Sequence, residues 1–384
     1  MEQACPTTTA PAPRGGTGIV MLNMGGPETL ADVGPFLRAL FADRELLRLP
    51  AQELLGRFIA DRRTPKVRRL YAAIGGGSPI RRWTEAQGCG MVERLDRLSP
   101  STAPHHFYVA FRYVEPAADD ALRRMAADGV TRAIAFSQYP QYSCTTSGSS
   151  LTELWRALER TGLRGRFRWS VIDRWPTHPA FVRAMAETVR RGLDAYPAAR
   201  RDRVLLLFSA HSLPLSVIER GDAYPQEVGA TVQAVLDALA LPNPSMLCYQ
   251  SEVGPVRWLG PSTEDVLRRL AADRRHDVLV VPIAFTSDHI ETLSEIDREY
   301  GELAHGLGLR GFTRAPALNG APLFLDALAA IVRDHVEAAV PHGPRYRERC
   351  PGCRNAQCRR LPDSIDTARA APVAIEGPPL SAVA

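Results

Sequence analysis

VLLLFSAHSLP, residues 204–214, decides how the chain is built. Five apolar residues without a charge fit a strand buried on both faces, the mark of a parallel sheet. Polar material then begins at once, and it includes a histidine. The pattern recurs: GIVML (18–22) runs into NMGGP, AIAF (133–136) into SQYPQYSC, and VLVVPIAF (278–285) into TSDHIE; FYVAF (107–111) is a further strand-like run. Helical patterns fall between them near 30–41, 83–98, 117–127, 151–160, 181–193, 226–239, 263–272 and 290–307. This alternation predicts an α/β protein whose parallel sheets are flanked by helices, with ligands bound at the carboxyl ends of the strands. IAFS and IAFT lie about 150 positions apart, which points to two related, Rossmann-like halves. The expected division is a leader at 1–17, halves at 18–176 and 177–340, an extension at 341–359, and a tail at 360–384 too poor in periodicity to fold.

The 384 residues, 45% of them hydrophobic, suffice for a large core or two packed halves. Lys66 is the sole lysine, so the net charge of +5 rests on arginine, as a GC-rich coding sequence would produce. No block of like charge and no nucleic-acid motif is present, which argues against a nucleic-acid partner. Seven cysteines, three of them clustered, favour a reducing compartment and a metal over a disulfide framework. The leader has neither an apolar signal core nor an Arg-rich transit pattern, and no apolar run approaches the ~18 residues of a membrane span. The expectation is a soluble intracellular protein.

Three stretches can carry chemistry. His211 follows a buried strand, where an imidazole can take protons near neutral pH, although a loop histidine bonded to backbone would look the same. In TSDHIETLSEIDREY (286–300), Asp288 and Glu291 could form a capping box. That does not account for Glu291, Glu295 and Glu299 recurring every four residues beside His289. Like charges at that spacing destabilise a helix, so the ladder suits passage of cations or protons better than stability. CPGCRNAQC (350–358) places Cys350, Cys353 and Cys358 as thiolate ligands for zinc or an iron–sulfur cluster. Cys5, Cys89, Cys144, Cys248 and His342 are candidates for a fourth ligand, and Cys144 leads because it lies in an open loop at a strand's carboxyl end. The glycine-rich NMGGPET (23–29) and IGGGSP (74–79) fit no phosphate-binding fingerprint. Leu37, Leu40, Phe41, Leu46, Leu47 and Leu49 read as core or, if exposed, as an apolar lip.

In order along the chain, LNMGGPETL, RRTPK, IGGGSPI, FRYVEP, AIAFSQYPQYSC, DRWPTH, FSAHSLP, YPQEV, GPVRWLGP, PIAFTSDHIETL and LNG resemble ferrochelatase, the enzyme that inserts ferrous iron into a porphyrin. The likeness is greatest to the animal form, with a 2Fe–2S cluster on a C-terminal extension. It implies a chelatase-like fold with a porphyrin cleft between the halves, and Cys144, Cys350, Cys353 and Cys358 as cluster ligands. His211 would stand beside the porphyrin with Glu291 across the pocket, both able to meet the substrate Fe²⁺. His289 would lie nearby, with Glu295 and Glu299 extending an acidic path. His178 of DRWPTH matches a histidine sometimes given a catalytic role. Met24, Arg63, Tyr71, Ser78, Arg112, Tyr113, Tyr139 and Trp258 match positions lining the pocket or its lip, with Arg63 and Ser78 placed to hold propionates. The implied reaction joins Fe²⁺ to protoporphyrin IX as the last step of haem biosynthesis. Coproporphyrin is the alternative substrate, and a non-catalytic haem or iron–sulfur sensor the rival from another class. The implied setting is bacterial and cytoplasmic, peripheral at the inner membrane surface, with room for a homodimer.

Overall fold

The structure, a computed structural model, describes residues 15–46, 49–274, 277–347, 350–353, 355, 357 and 358. Cys5, Leu47 and the whole of the 360–384 tail lie outside them. Strands β1 (Thr17–Asn23), β2 (His105–Phe111), β3 (Arg132–Ser137) and β4 (Arg168–Ile172) pair in the order β2-β1-β3-β4, all parallel. Strands β5 (Leu205–His211), β6 (Ser245–Gln250), β7 (Asp277–Pro282) and β8 (Gly311–Arg314) pair in the order β6-β5-β7-β8, again all parallel. The two orders are the same when the second set is renumbered. IAFS ends β3 and IAFT directly follows β7, so the short match falls on corresponding strands.

Helices cover both faces of each sheet, which is why the strands read as unbroken apolar runs. Ile19, Val20 and Met21 are fully buried, as are Leu279, Val280 and Val281. One hydrophobic cluster joins the sheets: Ile19, Met21, Ile134 and Phe136 from the first with Leu206, Phe208, Leu279 and Val281 from the second. Trp175 stands between them, edge-on to Phe181 at 4.8 Å and tilted on Phe324 at 6.3 Å. The halves therefore share a core, across which the helices Ile80–Leu98 and Pro322–Glu337 exchange an Arg94–Asp326 ion pair.

The helix Gln52–Ala73 has no clean apolar periodicity and was not anticipated. It forms because Ala60, Val67 and Tyr71 pack on Val33, Phe36, Leu37 and Phe41 of the helix Val33–Ala42. Its outer side leaves Leu54 76% and Phe58 64% exposed. Beyond the second half the chain returns to the first. Pro341 O accepts the Val171 N–H at the β4 edge (2.8 Å), and Tyr346 is buried beside Trp169 and Val171.

His335, on the helix Pro322–Glu337, is pushed down to about 4 by burial and, secondarily, by His342. Its folded value lies below the unfolded value of 6.5, so it stabilises the fold above pH 6.5, and that contribution is lost as pH falls toward 4. The full effect is at most about 3 kcal/mol. His335→Gln is expected to flatten the fall in urea midpoint between about pH 7 and about pH 5.

Candidate active site

A cavity open to solvent lies where the strand ends converge. Asn23 and Met24 line it from the end of β1, Gln138 and Tyr139 from β3, His211 from β5, and Phe285, His289 and Glu291 from beyond β7. Parallel pairing alone puts these residues on one edge. Gly25, at φ +75°, keeps the turn after β1 narrow, since any side chain there would meet Phe111 and Val114.

His211 sets its own tautomer. Its Nδ1 lies 2.6 Å from Ser212 O, and a carbonyl can only accept, so Nδ1 carries the hydrogen. Nε2 is then a free lone pair with no protein partner among the described residues. His289 repeats the device, with Nδ1 2.9 Å from Ser287 O. Its Nε2 meets Glu291 Oε2 at 3.2 Å, and its ring rests against Phe285 at 4.6 Å between centroids. With Nδ1–H fixed, any proton gained by the pair sits between Nε2 and the carboxylate. Desolvation, then the Glu291 charge, raises the Tyr71 phenol above its ordinary value, and Tyr139 is raised by the same two causes.

The glutamate ladder is wound differently from the expectation. Glu291–Tyr300 is π-helical, a form that gathers at functional sites, and an α-helix resumes only at Gly301–Gly306. The capping box does not form. Asp288 Oδ1 accepts the Thr292 hydroxyl (3.1 Å) and faces Arg314 (3.0 Å), while Glu291 turns to His289. Glu295 accepts four hydrogen bonds: from the Ser251 N–H (2.7 Å) and hydroxyl (2.5 Å), Gln250 Nε2 (3.0 Å) and Tyr300 OH (2.9 Å). Glu299 reaches solvent at the ladder's end, and partial desolvation with the neighbouring Glu295 raises its carboxyl.

Of the other anticipated residues, Met24, Arg112, Tyr113 and Tyr139 line the cavity. Arg112 is already paired, with buried Asp43 at 3.1 Å and Glu153 at 3.6 Å, and Tyr113 donates to Asp43 at 2.9 Å. Arg63, Tyr71, Ser78 and Trp258 do not line it. The Arg63 guanidinium lies 5.7 Å from the Phe41 ring centre, Tyr71 is in the lip core, and Ser78 packs on Gly26. Trp258 donates to Val253 O at 3.1 Å. His178 stands apart as a helix cap: Nδ1 accepts the Ala180 N–H (3.3 Å) and Nε2 meets Asp334 (3.1 Å). Gln138, Ser143, Tyr224 and Phe285 line the cavity without having been singled out. Each lies inside a quoted motif (SQYPQYSC, YPQEV, PIAFTSDH), which was the available signal.

Cys144, Cys350, Cys353 and Cys358 line a second, smaller cavity, together with Glu45, Arg220 and Asp222. None of the four is in a disulfide. Among the described residues no three His, Cys, Asp or Glu stand close enough to grip an ion as placed. Cys89 and Cys248 do not line this cavity; Cys248 is buried, bonded to Phe208 O and Thr263.

The ferrochelatase family model matches residues 16–336. The chain belongs to the ferrochelatase family. It is 54% identical over 343 residues to "Ferrochelatase, mitochondrial" of Xenopus laevis, covering 89% of this chain and 84% of that one. The human protein of the same name is 53% identical over 89% of this chain and 81% of its own, and the Drosophila melanogaster one 46% over 89% and 90%. Among solved structures, SirB from Bacillus subtilis with Fe³⁺ shares the fold at TM-score 0.50 and 12% identity, over 84% of this chain and 97% of that one.

Replacing Glu295 by Leu leaves Ser251 and Tyr300 without this acceptor and Gln250 Nε2 with only the Glu291 carbonyl. The expected cost is about 3 kcal/mol, read by urea denaturation, with Glu295→Gln recovering more than half.

Proposed function

We infer that this chain is a ferrochelatase, inserting Fe²⁺ into protoporphyrin IX in haem synthesis and releasing two protons. The observation that carries the mechanism is the free Nε2 of His211 in the same cavity as the His289–Glu291 pair. A metal-free porphyrin must give up both pyrrole N–H protons as it gains a dication, so the site needs two acceptors. His211 Nε2 takes one. The His289–Glu291 pair takes the other, held between an imidazole nitrogen and a carboxylate oxygen. While ionised, Glu291 also offers Fe²⁺ an oxygen in place of water. Met24, Leu40, Leu213 and Phe285 supply apolar wall for the flat ring.

Protoporphyrin is favoured over coproporphyrin because Arg112 is, among the described residues, the sole Arg or Lys lining the cavity, and it is already paired with carboxylates. Four carboxylates would want more basic partners. Arg63 and Ser78, at the lip, are proposed for propionates at the mouth, and Trp258 for the edge of the ring; Tyr71, buried in the lip core, is proposed to brace the lip. Glu295 and Glu299 are proposed to continue the acidic path outward. His178 is assigned a capping role and no part in the chemistry.

The four cysteines are proposed to hold a 2Fe–2S cluster. Four cysteines lining one cavity, none of them in a disulfide, fit the all-thiolate donor set such clusters use. When bound, the cluster would supply a cross-link between the extension and the first half rather than a part of insertion. The division at 176 and 340 is kept as a proposal on the sheet topology. Leu54, Leu55 and Phe58 are proposed to rest on a membrane surface; no helix among the described residues is long and apolar enough to cross one. The relatives named above are mitochondrial, so the bacterial inner-membrane setting finds no support in them.

Metal insertion by anaerobically purified protein, followed by porphyrin absorbance, tests the mechanism. His211→Leu and Glu291→Gln are each expected to lower kcat by about 100-fold or more while protoporphyrin still binds. Retained turnover in either variant, or a higher kcat/KM for coproporphyrin, contradicts the reading. For the cluster, the wild type is expected to show 2Fe–2S absorption that Cys144→Ser abolishes; a colourless, zinc-loaded protein refutes it.

A further inference from the structure

One buried carboxylate connects the two cavities. Asp222 is 2% exposed, and its Oδ2 accepts the Cys144 N–H (2.8 Å) and the Ser143 hydroxyl (3.2 Å). Its Oδ1 accepts the Tyr224 N–H (3.0 Å). Ser143 and Tyr224 line the larger cavity, whereas Cys144 and Asp222 line the cysteine cavity. The first two partners, Ser143 and Cys144, follow β3, and Asp222 and Tyr224 follow β5, so the carboxylate also ties the two halves together.

The loop that carries Asp222 is the seat of the extension. The Gly352 N–H donates to Arg220 O at 3.0 Å. Pro351 packs directly on Gly221, whose φ of +92° and bare α-carbon permit the approach. Anything that holds Cys350 and Cys353 in place thus also holds residues 220–222, and through them the wall residues Ser143 and Tyr224.

We propose that Asp222 is a positioning residue that transmits occupancy of the cysteine site to the wall of the porphyrin cavity. With the four thiols drawn together, the 220–224 loop is fixed and Ser143 and Tyr224 keep their places against the ring. Without that restraint the extension lifts from Gly221, the Asp222 bonds lose their frame, and porphyrin binding weakens. The carboxylate acts by its hydrogen bonds and touches no reacting atom. The inference rests on reading the cysteines as a cluster site, and its test is chosen to separate the two.

Protoporphyrin Kd, from fluorescence quenching, is measured for wild type, Asp222→Asn, Cys353→Ser and the double variant, with the 2Fe–2S content of each taken from its visible spectrum. Cys353→Ser is expected to lack the cluster and to bind protoporphyrin about tenfold more weakly. Asp222→Asn is expected to keep the cluster absorption and yet lose about tenfold, and the double variant to be no weaker than Cys353→Ser. An unchanged Kd in Asp222→Asn, or losses that multiply in the double variant, overturns the proposal. Should Asp222→Asn fail to fold, Ser143→Ala removes one of its bonds without touching the extension; it is expected to cost about threefold in Kd with the cluster intact, and no change overturns the coupling. A wild type without 2Fe–2S absorption sinks the cluster reading, and with it transmission from that site. In that same protein, a Kd weakened by Asp222→Asn would still show that the carboxylate positions the wall.

Discussion

Parallel strand pairing is the constraint from which the site follows. A parallel sheet needs a crossover after every strand, so its helices cover both faces and its strand ends collect on one edge. In this chain two such sheets of the same strand order share one core around Trp175, Phe181 and Phe324. That sharing brings the edges of the two sheets to a single cleft. Asn23, Gln138, His211 and the segment after β7 reach the same cavity because each stands just past a buried strand.

Within the cleft, backbone carbonyls do the chemical tuning. Ser212 O and Ser287 O each accept from an imidazole Nδ1, which leaves both Nε2 atoms for chemistry. One is open, and the other is committed to Glu291. The π winding from Glu291 onward changes which neighbours the acidic side chains meet. Glu295 is fully engaged by Gln250, Ser251 and Tyr300, while Glu291 remains at the cavity. The ladder is therefore graded from an inner carboxylate that lines the cavity to a solvent-facing outer one, with a rigidly held group between.

The sequence made the centre of the fold legible and its periphery much less so. Strands such as VLLLF are buried on both faces, and burial of that kind writes a continuous apolar run. The helix Gln52–Ala73 is Arg-rich with Pro65 inside, and it exists because of its partner helix, which no local pattern records. A π-helix and an α-helix both tolerate a four-residue repeat, so spacing alone left the winding of 291–300 undetermined. The family likeness singled out Arg63, Ser78 and Trp258, but it could not say that they stand outside the cavity as it is shaped here. Asp222 was passed over because a loop aspartate looks ordinary until its three donors are seen converging on it.

The cleft between the halves is proposed to receive the porphyrin with its pyrrole nitrogens facing His211 and Glu291. A crystal structure with metal-free protoporphyrin bound tests it most directly. The ring is expected inside the cavity, with His211 Nε2 turned toward the pyrrole nitrogens on one side and the His289–Glu291 pair reaching them from the other. A ring seated elsewhere, or a His211 whose Nε2 is turned away into a protein hydrogen bond, would contradict it.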